Sequence, residues 1–347
     1  MAGFGGHAGG NVACLGDVCT EDLERFADDY VAERLQPDGP GLAVALVGPE
    51  GVMFEKSYGM ANIAESLPIS ADTPFNLASV TKQFTATAVM ILYEEGELRP
   101  EDLVADYFPE APAAWREEGM TVQHLLTHQS GIPDFLNDTS GGGWTNDEVL
   151  AWALVVPPEF SPGERYEYSN TGYTLLAVLV ERISEQSFPS FLQERIFAPL
   201  GMVSSSVPDD WPTDIPNEAE SYIQGVQYEF PRRAMGEGTN HSSLRDLERW
   251  ELSMREPTLV LPETLALMIT PHANWPYDPD CGYGYGWVIC DRAGEPLNVY
   301  HDGVSSGYRT LITRAPGEDV TVIMLSNGTF DWAASMAHGL WRFALGL

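Results

Sequence analysis

The chain has 347 residues, 44% of them hydrophobic, which is enough for one large or two interlocked domains around a substantial core. Its 51 acidic residues against 18 basic ones give a formal net charge of −33, so nucleic acid and anionic membrane surfaces are poor partners. No run of about 18 or more apolar residues occurs, and no membrane-spanning helix is expected.

The start, Met1-Ala2-Gly3-Phe4-Gly5-Gly6-His7, lacks the basic and apolar regions of a signal peptide, which favours a cytoplasmic location over export. Thr20 before Glu21-Asp22 reads as the cap of an amphipathic helix with Leu23, Phe26, Tyr30 and Val31 on one face. Leu42 to Val47 and Val52 to Tyr58 flank Gly48-Pro49-Glu50-Gly51, a hairpin signal. A helix is predicted from Val80 to Glu95, with Phe84, Ala88, Ile91 and Leu92 inward and Gly96 as its C-terminal cap. From about Val89 to Met235 the pattern is helical between Pro and Gly breaks, clearest at Leu175, Leu176, Leu179 and Ile183. Strand chemistry returns at Tyr283 to Ile289, Leu297 to His301, Tyr308 to Arg314 and, after Pro316-Gly317, Val320 to Leu325. A helix from about Phe330 to Leu345 closes the chain.

Strands at both ends with helices between imply an α+β fold: an antiparallel sheet built from both chain termini and flanked by helices. The expected division is a sheet domain from residues 20–88 and 236–347 with a mainly helical insertion over 89–235. Cys14, Cys19, Cys281 and Cys290 suit neither a disulfide scaffold nor a zinc site. Cys281 and Cys290 bracket what reads as one strand, which would hold them too far apart to bond. A Cys14–Cys19 bridge stays open.

Only two lysines occur, Lys56 and Lys82, and Lys82 stands three residues after Ser79 in Phe75-Asn76-Leu77-Ala78-Ser79-Val80-Thr81-Lys82. Residues three apart on a helix are neighbours, so the amine can reach the hydroxyl. The helix start also offers unpaired N–H groups and partial positive charge, which favour an alkoxide. Ser-x-x-Lys alone is weak, but two further segments accompany it: Tyr168-Ser169-Asn170-Thr171-Gly172-Tyr173 and Tyr300-His301-Asp302-Gly303.

These three motifs resemble, in order and separation, the Ser-x-x-Lys, Tyr-x-Asn and Lys/His-x-Gly motifs of the serine β-lactamase and penicillin-binding-protein superfamily, in its class C branch. His124-Leu125-Leu126-Thr127-His128-Gln129-Ser130-Gly131 and Phe197-Ala198-Pro199-Leu200-Gly201-Met202 are similar to two more segments of that branch. The resemblance implies a two-domain architecture with a cleft between. Ser79 would sit on the first helix of that cleft, Tyr168 and Asn170 on a helical-domain loop, and His301 on a strand edge.

It implies Ser79 as nucleophile, with Lys82 and Tyr168 jointly as its base. A nearby ammonium is expected to lower the Tyr168 phenol's pKa, after which Tyr168 protonates the leaving group. Asn170 would contact substrate and hold Lys82, and the N–H groups of Ser79 and Val304 would form the oxyanion hole. Gly303 would let the strand backbone approach substrate closely. His301 stands where class C β-lactamases carry lysine, which puts efficient β-lactam hydrolysis in doubt. Asp302 stands where carboxylate-binding members tend to carry a hydroxyl. It would repel anionic substrates, unless it turns away or pairs with an arginine such as Arg292.

Gly303-Val304-Ser305-Ser306-Gly307 matches a nucleophile elbow, but Tyr308 to Arg314 alternates like a strand where a helix is required. His124 and His128 have the spacing of a zinc pair, yet Leu125 stands where a metalloprotease has Glu. The expectation is a serine hydrolase without metal or cofactor, acting on a small-molecule ester or amide, most like a carboxylesterase. A β-lactamase or D-specific peptidase is the alternative, and a catalytically silent binding protein a third. The scattered acidic residues read as adaptation to high salt.

Overall fold

A computed structural model describes residues 13–138, 143–208, 215–228, 233–256 and 258–347. The signal-peptide reading at Met1 to His7 lies outside them. Helix α1 (Thr20–Ala32) buries Leu23, Ala27 and Val31. Its N-cap is Cys19, one residue before the expected Thr20, and the Asp22 carboxylate accepts the Cys19 N–H at 3.1 Å. Strands β1 (Leu42–Gly48) and β2 (Gly51–Tyr58) form the expected hairpin around Pro49 and Glu50.

Helix α2 (Thr81–Glu94) follows a 3-10 turn at Ala78–Val80. It ends in a Schellman motif: Gly96, at φ +79°, donates its N–H to Tyr93 O, and the Glu97 N–H goes to Leu92 O. Helix α3 (Asn170–Ser184) packs against α2 and buries Leu175, Leu176 and Leu179. Helix α4 (Leu244–Arg255) lies on β1, and its Trp250 ring sits 4.2 Å from that of Phe84.

The C-terminal part supplies β3 (Ala273–Asn274), β4 (Cys281–Tyr283), β5 (Val288–Cys290), β6 (Asn298–Ser305), β7 (Tyr308–Ala315), β8 (Val320–Ser326) and helix α5 (Asp331–Ala344). Together with β1 and β2 they make one eight-stranded antiparallel sheet in the order β3-β4-β5-β6-β7-β8-β1-β2. The N-terminal hairpin thus docks on the last strand, so both ends of the chain build one sheet.

Strand alternation divides the core. Leu42, Val44 and Leu46 pack with Val322 and Met324 against α1 and α5. Ala43, Ala45 and Val47 pack with Ile323 and Leu325 on the opposite face, in the cluster that contains Phe84 and Trp250. Both faces are covered, which is why β1 reads as a continuous apolar run.

The expected strand from Tyr283 to Ile289 is not one strand. The chain reverses between β4 and β5, where Gly286 takes φ +80° and packs so closely on α2 that a Cβ there would lie 2.8 Å from Lys82 O. Cys281 and Cys290 are therefore cross-strand partners with Cα atoms 4.1 Å apart, and they form a disulfide, contrary to the sequence expectation. Cys14 and Cys19 are bonded as well, across a short antiparallel pair.

Candidate active site

The local chain around Ser79 is unusual. Ala78 adopts the left-handed region at φ +46°, which costs a non-glycine residue about 1–2 kcal/mol. Two contacts hold it there: Asn76 Oδ1 accepts the Ala78 N–H at 3.0 Å, and Thr310 on β7 donates its hydroxyl to Leu77 O at 2.7 Å. Ser79 lies in the 3-10 turn that leads into α2, one turn ahead of the regular helix.

Lys82 is fully buried, and its Nζ lies 3.2 Å from Ser79 Oγ, 2.8 Å from Asn170 Oδ1 and 2.6 Å from the backbone oxygen of Glu237. Tyr168 donates its hydroxyl to Ser79 Oγ at 2.8 Å. Tyr168 lies in the loop before α3, whereas Asn170 is the first residue of that helix rather than part of a loop. Asn170 is itself held by Asp134, whose carboxylate accepts its side-chain N–H at 2.8 Å and its backbone N–H at 3.2 Å.

Burial pushes the Tyr168 phenol well above its usual pKa, and the hydrogen bond to Ser79 pulls the other way by less. This reverses the expectation of a lowered value, because burial disfavours the phenolate. His128 stacks on Tyr168 with ring centroids 4.2 Å apart, and its Nδ1 accepts the Ser169 N–H. Burial first, then Lys82, pushes the His128 pKa well down. His124 uses its Nδ1 to accept the Thr121 N–H at 3.1 Å, so the two histidines serve different backbone groups.

His301, Asp302, Gly303 and Val304 all lie on β6, which runs four residues beyond the expected end at His301. Strand β5 pairs only with Asn298 to Tyr300, so among the described residues β7 is the one strand partner of His301 to Ser305. The other side of that segment faces the Ser79 turn. His301 donates from Nδ1 to Asp302 O at 2.7 Å and accepts the Tyr283 hydroxyl at Nε2, 3.0 Å away. Burial lowers its pKa to about 4, against the opposing pull of Asp302. A neutral imidazole therefore occupies this position at neutral pH.

Gly303 is small for a reason other than the expected one: a Cβ there would lie 2.5 Å from Leu77 O and 3.1 Å from Ala78 Cβ, so protein, not substrate, fills the space. Ser305 is followed by a turn and then β7, without the helix an elbow needs. Arg292 is bonded to Asp278, not to Asp302.

A cavity of about 380 Å³ opens over Ser79 and is lined by Tyr168, Asn170, His301, Asp302 and Val304, with Leu136, Glu237, Trp275 and Tyr277 completing the wall. Every sequence-singled site residue except Lys82 and Gly303 lines it, and those two stand directly behind. Sequence reading missed the rest of the wall, along with Asp134 and Tyr283. Asp134 lies three residues past Gly131, where the matched segment stopped, and the only local signal at Trp275-Pro276-Tyr277 is an aromatic pair around a proline. The Glu237 carbonyl leaves no mark in a sequence. Among the described residues no helix is long and apolar enough to cross a membrane.

The Beta-lactamase family model matches residues 23–344. Penicillin-binding protein 4* of Bacillus subtilis is 30% identical over 84% of this chain and 68% of its own length. Penicillin-binding protein 4 of Amycolatopsis lactamdurans is 28% identical over 94% of this chain and 90% of its own. The octameric penicillin-binding protein homologue from Pyrococcus abyssi superposes with a TM-score of 0.83 at 30% identity, over 94% of this chain and 77% of that one. With a left-handed turn that presents a serine to a buried lysine and a tyrosine, and with a family match from one end of the sheet to the other, this chain belongs to the Beta-lactamase family.

Proposed function

We propose that the protein is a serine hydrolase that cleaves ester or amide bonds through an acyl-enzyme on Ser79, with esterase-like preference. The observation that carries this reading is Ser79 Oγ lying within hydrogen-bond distance of both Lys82 Nζ and Tyr168 Oη at the floor of an open cavity. Lys82 takes the Ser79 proton as Oγ attacks the carbonyl carbon, while Glu237 O and Asn170 Oδ1 keep the amine in place. The raised pKa of Tyr168 keeps the phenol protonated, which suits it to donate to the leaving oxygen or nitrogen as the carbonyl re-forms. The N–H groups of Ser79 and Val304 would hold the oxyanion. Lys82 passes the proton it took to Tyr168, and water then cleaves the acyl-enzyme, its hydroxyl going to the acyl carbon and its remaining proton to Ser79 Oγ through the same pair.

None of the ten described residues lining the cavity is Lys or Arg, His301 is neutral, and Asp302 lies on the wall. Neutral substrates, or ones bearing an amine, fit this charge better than carboxylates. The penicillin-binding names of the relatives favour a second reading, turnover of β-lactams or D-peptides. Burst kinetics with p-nitrophenyl acetate, a penicillin and a D-alanyl amide separate the two. The ester is expected to be the best substrate, and Ser79→Ala should lose at least about a thousandfold in kcat. Asp302→Thr should raise kcat/KM for the anionic substrate relative to the ester by about tenfold or more. Fluorophosphonate labelling that persists in Ser79→Ala would remove Ser79 as nucleophile.

A further inference from the structure

We propose that Asp134 is a positioning residue for the nucleophile: its carboxylate sets the orientation of the Asn170 amide, and through that amide the place of Lys82 against Ser79. The inference rests on the serine-hydrolase reading above. Asp134 is not among the side chains lining the cavity and stands behind Asn170.

The argument turns on which groups can donate and which can accept. A lysine amine that turns its lone pair to Ser79 has only N–H donors left for its other neighbours and a carboxylate has only acceptors, whereas the planar Asn170 amide has an acceptor at one end and a donor at the other. The amide spans the two, Oδ1 at 2.8 Å from Lys82 Nζ and Nδ2 at 2.8 Å from Asp134 Oδ2. Turning it over would set its oxygen against the carboxylate and its N–H₂ against the amine. Asp134 thus selects one of two otherwise similar rotamers. In that rotamer the second Nδ2 hydrogen is left over for a substrate carbonyl in the cavity, where Asn170 is a lining residue.

The carboxylate is anchored well enough to do this. Its Oδ1 accepts the Leu136 N–H at 3.0 Å, capping the turn at Phe135–Asn137, and its Oδ2 also accepts the Asn170 N–H at 3.2 Å. Thr171 locks the same loop to the helix by donating to Pro133 O at 2.7 Å and accepting the Phe135 N–H at 2.9 Å. Ser169, the N-cap of α3, makes no side-chain cap bond, so a carboxylate from another segment serves the helix start in its place. Capping alone accounts for the two backbone contacts. It does not account for the bond to Nδ2.

The test is a double-mutant cycle with two readouts, the fluorophosphonate labelling rate of Ser79 and ester turnover. Asp134→Asn is expected to slow labelling and lower kcat by about tenfold to a hundredfold, with KM changed less than about threefold. In an Asn170→Ala background the same replacement should cost less than about twofold, because the residue it acts through is gone. Should Asp134→Asn fold poorly, Asp134→Ser retains a cap for the Leu136 N–H but cannot reach Asn170, and it should show the same pattern. Equal losses in both backgrounds, or losses that track the melting temperature alone, would show a cap and overturn the proposal. A wild-type Ser79 that does not label at all would overturn the hydrolase reading and this one with it, an outcome distinct from a reactive Ser79 insensitive to Asp134.

Discussion

His301 is buried against the Tyr283 hydroxyl and its own chain's carbonyl, and its pKa falls from 6.5 to about 4. Between those values the unfolded chain binds a proton that the folded one refuses, so stability is full above pH 6.5 and declines as pH falls towards 4. For this one group the loss at pH 5 is roughly 2 kcal/mol. His128 acts in the same direction, since its pKa is lowered too. Urea unfolding at pH 7.5 and pH 5 should show a smaller acid loss in His301→Gln than in the wild type, the difference being about 2 kcal/mol. Parallel pH dependence in the two proteins would show that His301 titrates normally. Neutrality also bears on chemistry, because the ring, with both nitrogens bonded to protein, adds no charge to the cavity wall.

Strand β6 changes character along its length. Val299 and Tyr300 are paired on both sides, while His301 to Ser305 are paired on one side and set against the Ser79 turn on the other. Gly303 is where this segment and the turn come closest. An added methyl would lie 2.1 Å from Thr310 Oγ1 and 2.5 Å from Leu77 O. The hydroxyl can rotate away at the expense of its bond to Leu77 O, but the backbone oxygen cannot. Gly303→Ala is therefore expected to push β6 off the turn, with a loss of about 1–3 kcal/mol in stability and at least about tenfold in the rate of Ser79 labelling. Unchanged values of both, by urea midpoint and fluorophosphonate kinetics, would mean the strand yields freely.

At the scale of the whole molecule the dominant fact is charge. Lys82 is buried in the site, which leaves Lys56 as the remaining lysine, paired with Asp28 at 2.6 Å. Several arginines are also engaged inside or at element junctions, among them Arg314, which meets Glu251 at 2.7 Å with both side chains buried. With a net charge of −33 the surface carboxylates must be relieved by counterions. We propose that this is a salt adaptation. The melting temperature should rise steeply from 0.01 M to a few tenths molar sodium chloride, as the Debye length shrinks from about 30 Å towards 10 Å and below. A further rise beyond 1 M would point to exclusion of salt from the surface. A midpoint flat or falling from 0.01 to 2 M would remove the idea.

Local pattern was enough for helix α2 with its Gly96 cap, the hairpin at Pro49-Glu50, the strands β7 and β8, and the Ser79–Lys82 pair, because each depends on residues a few positions apart. Motif order carried the reading further, to Tyr168, Asn170 and His301, whose convergence on one cavity follows from the fold. What the sequence could not show depends on contacts between distant segments. Lys82 is held by Asn170, 88 positions away, and by a backbone oxygen 155 positions away that has no side-chain signature. The Cys281–Cys290 bond required the reversal that Gly286 makes against α2, and a one-strand reading of Tyr283 to Ile289 hid it. Burial, which reversed the expected direction for Tyr168 and made His301 neutral, belongs to the packed molecule and not to any segment, since desolvation depends on everything that surrounds a group.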